Sequence, residues 1–233
     1  MLLAFGAHPD DIEFGCGGII ARETRNGREA HFVVCSRGES GTNGTMSERE
    51  AEARKSAKLL GATIEFLDLG GDAHFEVKVK HTLKLAKVLR RVRPAMVLAP
   101  SLAPNQHPDH PRLGQMVRDA TRLARYGGVK ELRAQPPCVV AHLFYYAVTP
   151  EAEAADLARV LVDVSDPDVL AAWTRAMEMH ATQARTRNYV ELQLTRARLN
   201  GLRAGIGHAI PLFPNDALVI DSLAVLGRGA RAF

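Results

Sequence analysis

The chain has 233 residues, 46% of them hydrophobic and 24% charged, with 19 glycines and 12 prolines. That length can bury a substantial core, and the balance excludes a collagen-like, low-complexity or predominantly disordered protein. The net charge of +4 comes from Lys and Arg scattered among acids rather than gathered in one stripe, so no nucleic acid partner is expected.

Residues 2–5 are apolar without a break, as expected of a strand covered on both faces by helices. Further strands are predicted at 31–35, 63–67, 95–99 and 139–146. Ser47, followed three residues later by Glu50 and then by an Ala-rich run ending at Gly61, predicts a capped helix over 47–60. The basic runs Lys78-Val79-Lys80 and Arg90-Arg91-Val92-Arg93 fall on another predicted helix and read as a solvated face. After Pro150 the pattern is less regular, with helices expected at 166–180 and 190–204 and a late strand at 217–220.

Strands alternating with helices predict an α/β fold: an open, mostly parallel, doubly wound Rossmann-like sheet flanked by helices. One domain is expected over 1–233, its motifs within 1–125 and its remainder, 126–233, completing the sheet and pocket. Cys16, Cys35 and Cys138 are too few and too far apart for a disulfide framework. The apolar opening lacks a basic leader and no apolar run reaches bilayer length, so the expectation is a cytoplasmic protein with no membrane partner.

Sites on such sheets lie beyond the carboxyl ends of the strands. Two loops there carry chemistry. The loop 6–18 contains His8-Pro9-Asp10-Asp11, and the loop 100–111 contains His107-Pro108-Asp109-His110. His-Pro-Asp alone is often a turn in which the Asp bonds the backbone. Two such triplets at strand ends fit a metal site better, with imidazoles and a carboxylate as ligands and open positions for water and substrate. Of the adjacent pair Asp10 and Asp11, one can bind a metal while the other takes a proton.

These motifs resemble those of the LmbE-like, or PIG-L, family of zinc-dependent N-acetyl sugar deacetylases. Two further stretches are similar: residues 38–44 (Gly-Glu-Ser-Gly-Thr-Asn-Gly), and Arg49-Glu50-Ala51-Glu52 leading to Leu60-Gly61. The resemblance covers residues 2–125 well and the remainder loosely. It implies His8, Asp11 and His110 as ligands of Zn²⁺, with Fe²⁺ the other candidate metal. It also implies Asp10 as general base, a protonated His107 as oxyanion stabiliser, Asp109 as the group that orients His107, and Arg49 as a sugar contact. The implied reaction is hydrolysis of the acetamide of an N-acetylglucosamine-type sugar, releasing acetate and a free amine.

Within the family, the resemblance is strongest to the branch that deacetylates N-acetylglucosaminyl malate in bacillithiol synthesis, which implies a homo-oligomer, often a hexamer. Simple N-acetylglucosamine and chitooligosaccharides are the alternative substrates. From other classes, a metal-dependent phosphoesterase would want more carboxylates than the motifs supply, and a non-catalytic sugar-binding module would not need Asp10 beside Asp11. The chain departs from the family at Gly207-His208-Ala209-Ile210, where a Tyr-Ala-Glu stretch is frequent, and this is expected to alter the rim of the sugar pocket.

His180 and Gln183, similar to a family His-x-x-Gln stretch, read as packing or capping residues. Cys16 reads as a buried hydrophobe rather than a ligand or nucleophile. Gly15-Cys16-Gly17-Gly18 is not a GxGxxG fingerprint, and the acids before it disfavour a bound dinucleotide phosphate.

Overall fold

Alternate residues of β1 (Leu2–Gly6) serve two different cores. Leu2 and Ala4 belong to one hydrophobic cluster, Leu3 and Phe5 to another, and none of the four is exposed. A strand buried on both faces must have helices on both. In this computed structural model, which describes residues 1–154, 156–184 and 188–226, it has them. The first core includes Phe14, Ile19 and Ile20 of α1 (Asp11–Arg25), Ala57 of α2 (Met46–Leu59), Trp173 and Met177 of α5 (Pro167–Glu178), and Ala197 of α6 (Tyr189–Arg203). The second includes Leu85 and Leu89 of α3 (Val79–Val92) and Leu113 and Val117 of α4 (Asp109–Arg125). Each large apolar side chain so buried contributes roughly 1.5–3 kcal/mol.

Seven strands form the sheet in the order β3-β2-β1-β4-β5-β7-β6. β2 (Ala30–Val34), β3 (Ala62–Phe66), β4 (Met96–Pro100) and β5 (His142–Tyr146) continue β1 in parallel. β7 (Ala209–Pro214) runs antiparallel to β5, and β6 (Val160–Asp163) antiparallel to β7. The sheet is therefore the expected mostly parallel α/β architecture. β1 pairs directly with β4, Leu2 opposite Met96, and there the chain order reverses. The loops leaving these two strands open side by side, and they carry the two His-Pro-Asp motifs.

Four sequence expectations need correction. The helix predicted at 47–60 begins at Met46. Its capping box is Thr45 with Glu48: the Glu48 N–H donates to Thr45 Oγ1 and the Thr45 N–H to Glu48 Oε2. Glu50 instead pairs with Arg54. The loop after β1 is shorter than 6–18, because α1 starts at Asp11 and runs through Gly15, Gly17 and Gly18. A Cβ on Gly15 would lie 2.2 Å from the Tyr146 ring, and one on Gly17 2.8 Å from Trp173. Those glycines let aromatic rings seat on the helix.

Residues 217–220 form no strand and are exposed; the last strand is β7, over 209–214. Arg90, expected in solvent, is 2% exposed. Its guanidinium donates to the carbonyls of Ala124, Tyr126, Leu132 and Gln135, tying α3 to the segment after α4. No helix of the described residues is long and apolar enough to cross a membrane.

Candidate active site

The Asp11 carboxylate organises the first loop. Its Oδ2 accepts the backbone N–H groups of Ala7 and His8 at 2.8 and 2.9 Å. Its Oδ1 lies 3.1 Å from His110 Nε2. His8 Nδ1 is 3.3 Å from the same His110 nitrogen and 3.6 Å from Asp11 Oδ2. All three residues are buried, His8 to 7% exposure, Asp11 to 2% and His110 to 5%.

Hydrogen bonding fixes the tautomers. Gln106 spends its amide nitrogen on Ser101 and the Ala103 carbonyl, so its Oε1 faces His110 Nδ1, which donates at 3.1 Å. His110 Nε2 is then bare. His8 Nε2 lies between the carboxylates of Asp72, at 3.1 Å, and Asp109, at 3.3 Å, so it carries the hydrogen and Nδ1 is bare. The two imidazole nitrogens thus face each other beside the Asp11 carboxylate, its Oδ1 toward His110 and its Oδ2 toward His8, a donor set suited to a cation. Donors of a tetrahedral zinc site, bound at 2.0–2.1 Å, are separated by about 3.3 Å. The spacings of 3.1–3.6 Å and the donor chemistry fit a divalent cation held by His8, Asp11 and His110.

The acids around His8 favour positive charge there, which a proton supplies when no metal is bound. Burial opposes charge on His8, but Asp11 above all, with Asp109 and Asp72, outweighs it and raises the imidazole well above its ordinary pKa. Burial also disfavours charge on Asp11, yet His110 and His8 hold it well below the usual carboxylate range. Asp10 behaves oppositely. Burial, then the Asp11 charge, pushes its carboxyl up to about 6, against the pull of Arg49. Its φ of 114° is left-handed, an uncommon conformation held here by the strand-to-helix turn.

His107 lies at the exposed mouth, its ring centroid 4.6 Å from that of His8. Burial, with His8 and His110 nearby, lowers its pKa, and its Nδ1 accepts the Asp109 N–H. His8, His107 and His110 could also present three nitrogens to one ion, and His8, Asp72 and Asp109 form a second close group of donors. In the second group His8 Nε2 already carries a hydrogen between the two acids, which suits orientation of His8 better than ligation. The part expected of Asp109 changes accordingly. Its carboxylate faces His8 and accepts the N–H groups of Ala73 and Phe75, so its carboxylate contacts serve His8 rather than His107.

Arg49 is 4% exposed, reaching from α2 to donate to the Pro9 and Gly38 carbonyls. It pairs with Asp10 at 3.5 Å and Asp72 at 4.0 Å, and its Nε has no hydrogen-bond partner among the described residues. It therefore braces the loop that carries Asp10 as well as lining the cleft. Asp72 was missed by sequence reading, since an acid after Gly70-Gly71 reads as a turn. The available signal was its place beyond the end of β3, at the same sheet edge as both motifs.

The cleft over these groups has a volume of about 370 Å³ and is walled by Ser40–Thr42, Ala73, Val148, Thr149, Gln183 and Tyr189. That is within the usual range for small-molecule sites. None of residues 207–210 lines it; His208 instead bonds Ser165 beside β6, so the departure from the family stretch lies away from the described rim. Gln183, expected to pack, lines the cleft, while His180 is buried against Glu13. Cys16 is fully buried, and burial first, then Glu13 and Asp11, raises its thiol well above the ordinary value.

Comparison with known proteins adds the family. Residues 3–121 match the PIG-L model, described as GlcNAc-PI de-N-acetylase. The diacetylchitobiose deacetylase of Thermococcus kodakarensis is 30% identical over 196 residues, covering 78% of this chain and 69% of that protein. The 4-oxalmesaconate hydratase of Pseudomonas putida is 34% identical over 140 residues, 55% of this chain and only about half, 54%, of the hydratase. Among solved structures, the conserved protein TT1542 of Thermus thermophilus superposes with a TM-score of 0.84 at 31% identity, over 94% of this chain and 96% of that one. The family model spans half of the chain and the deacetylase most of it: this chain belongs to the PIG-L de-N-acetylase family.

Proposed function

We propose that this chain is a metal-dependent hydrolase that removes the acetyl group from the nitrogen of an N-acetylglucosamine-type sugar. The observation that carries the reading is the convergence of the bare nitrogens of His8 and His110 on Asp11, beside the raised carboxyl of Asp10, on the floor of a cleft of sugar-accommodating size. Zn²⁺, or Fe²⁺, held by His8, Asp11 and His110 would supply a Lewis acid that polarises the amide carbonyl and eases deprotonation of water.

The chain's own groups do the rest. Asp10 takes a proton from the attacking water and returns it to the leaving nitrogen. His107, with Nδ1 occupied by the Asp109 N–H, offers Nε2–H as a neutral donor to the oxyanion. This replaces the protonated form expected from sequence. Asp109 and Asp72 fix the ring of His8, an orienting role typical of groups behind a metal ligand. Arg49 and Asp72 line the cleft where sugar hydroxyls would lie.

Elemental analysis of the purified protein, with a screen for free amine, tests this. About one divalent metal per chain and amine release from an N-acetylglucosamine conjugate are expected. The finer reading, N-acetylglucosaminyl malate as substrate, requires its kcat/KM to exceed those of N-acetylglucosamine and N,N'-diacetylchitobiose. Arg49 lends it little, because that guanidinium is engaged by Pro9, Gly38, Asp10 and Asp72.

The match to a hydratase favours a second reading, addition of water by the same cluster. Turnover of 4-oxalmesaconate without any amine release would establish it in place of the first.

A further inference from the structure

Two buried groups near the site have no part in the proposed chemistry. Glu13, 2% exposed, stands one helical turn beyond Asp10 on α1. His180, 1% exposed, follows the end of α5. His180 Nε2 lies 3.2 Å from Glu13 Oε1 but off the hydrogen-bonding direction, and neither atom has another hydrogen-bond partner among the described residues. Burying such a pair costs several kcal/mol in lost hydration, and its Coulombic attraction alone is a weak reason to keep it. What it joins gives a better reason.

The turn carrying His180 is tied on its other side to the substrate wall. The His180 carbonyl accepts the N–H groups of Gln183 and Ala184. Gln183 Nε2 then donates to the Asn43 carbonyl at 3.0 Å. Thr182 donates its N–H and hydroxyl to Glu52 of α2, at 3.0 and 2.7 Å. Thr182 also packs so closely on Gly44, whose φ is 79°, that a Cβ there would lie 2.6 Å from Thr182 Cγ2. One short turn thus grips α1 just after its catalytic start, the 40–45 loop, and the helix that carries Arg49. Glu13 is its grip on α1.

We infer that Glu13 and His180 form a positioning pair that sets the base Asp10 in register with the 40–45 wall of the cleft. The pair touches no reacting atom, and the inference rests on the proposed de-N-acetylation for its kinetic consequence only. A displacement of about 1 Å between a base and a bound substrate can lower turnover by 10²-fold.

The test compares His180→Ala and His180→Gln with wild type by amide hydrogen exchange, and by kcat and KM in the zinc-loaded enzyme. In His180→Ala, exchange is expected to rise at least about tenfold in both 10–14 and 40–45 but not in the β1–β4 core, the signature of local opening. Its kcat should fall about tenfold or more with KM within about twofold. His180→Gln, whose amide N–H can reach the Glu13 carboxylate, should recover most of both. Exchange that rises evenly along the chain, or only within 180–184, overturns the inference. So does a His180→Ala kcat close to wild type, or an equal loss in both variants. A wild type that releases no acetate from any substrate rejects the proposed function alone, and the exchange pattern then decides the pair.

Discussion

The unprotonated nitrogens of His8 and His110 face each other 3.3 Å apart, each held in that tautomer from behind, His110 by Gln106 and His8 by Asp72 and Asp109. Such an arrangement suits the proposed cation. Asp11→Ala removes the third donor and the acceptor that shapes the loop. It should lower zinc affinity by at least about 10²-fold, since even groups behind the ligands are worth 10–100-fold. Chelator competition measures this, and undiminished binding in the variant would remove Asp11 from the ligand set.

Asp10 should separate binding from turnover. Asparagine is nearly the shape of aspartate and tolerates a left-handed backbone, so Asp10→Asn keeps the turn at φ 114° and the three donors. Metal content should stay at the wild-type level while kcat drops about 10²-fold or more, the usual contribution of a positioned base. A variant with a tenth of wild-type kcat would show that the proton goes elsewhere.

The site was legible where chemistry sits directly behind an apolar strand. Leu2–Gly6 and Met96–Pro100 are apolar and adjacent in the sheet, so the two His-Pro-Asp motifs following them meet. Asp72 was not legible, because its pairing with His8 depends on how the 68–75 loop folds back, which no local pattern encodes. The same reason hid the turn of Asp109 toward His8.

In the fold, β7 escaped notice because Pro211 and Pro214 argue against a strand. Both nevertheless stand in paired positions, Pro211 opposite Leu161 of β6 and Pro214 opposite Phe144 of β5. The capping box was displaced by two residues because Thr45-x-x-Glu48 and Ser47-x-x-Glu50 both satisfy the pattern, and only the helix start chooses between them. The Gly15–Gly18 run reads as part of the loop after β1, whereas it lies in α1 and its small residues receive Tyr146 and Trp173.

That packing is testable at Gly15. An added Cβ would meet the Tyr146 ring at 2.2 Å, and the ring is fully buried with its hydroxyl donating to the Phe5 carbonyl. Neither side can yield without losing contact or hydrogen bond. Gly15→Ala should therefore destabilise the protein by about 1–3 kcal/mol, the range for overpacking, despite the better helix propensity of alanine. Urea unfolding reads the difference, and a stabilised variant would contradict the packing account.

Arg90 offers a second structural test away from the cleft. Its four carbonyl partners span residues 124–135. Arg90→Met keeps the apolar stem but leaves those acceptors without their charged donor, each such bond being worth about 1.5–3 kcal/mol and not additive. A loss of about 3 kcal/mol or more in urea unfolding is expected, with faster amide exchange between 124 and 137. If Arg90 were merely a solvated helix residue, the change would stay within about 0.5 kcal/mol.

The Glu13 and His180 pair also predicts how stability depends on pH. Burial alone would lower the pKa of His180, but the Glu13 carboxylate, helped by Asp10 and Glu52, raises it above 6.5. A histidine whose folded pKa is raised binds its proton more tightly when folded. Its contribution is therefore complete below about pH 6.5 and disappears as pH climbs through the raised value. Subtracting His180→Gln from wild type cancels the other titrating groups to first order. The stability gap from urea unfolding should be larger at pH 6 than at pH 9. A gap that widens with pH would mean that His180 is buried neutral.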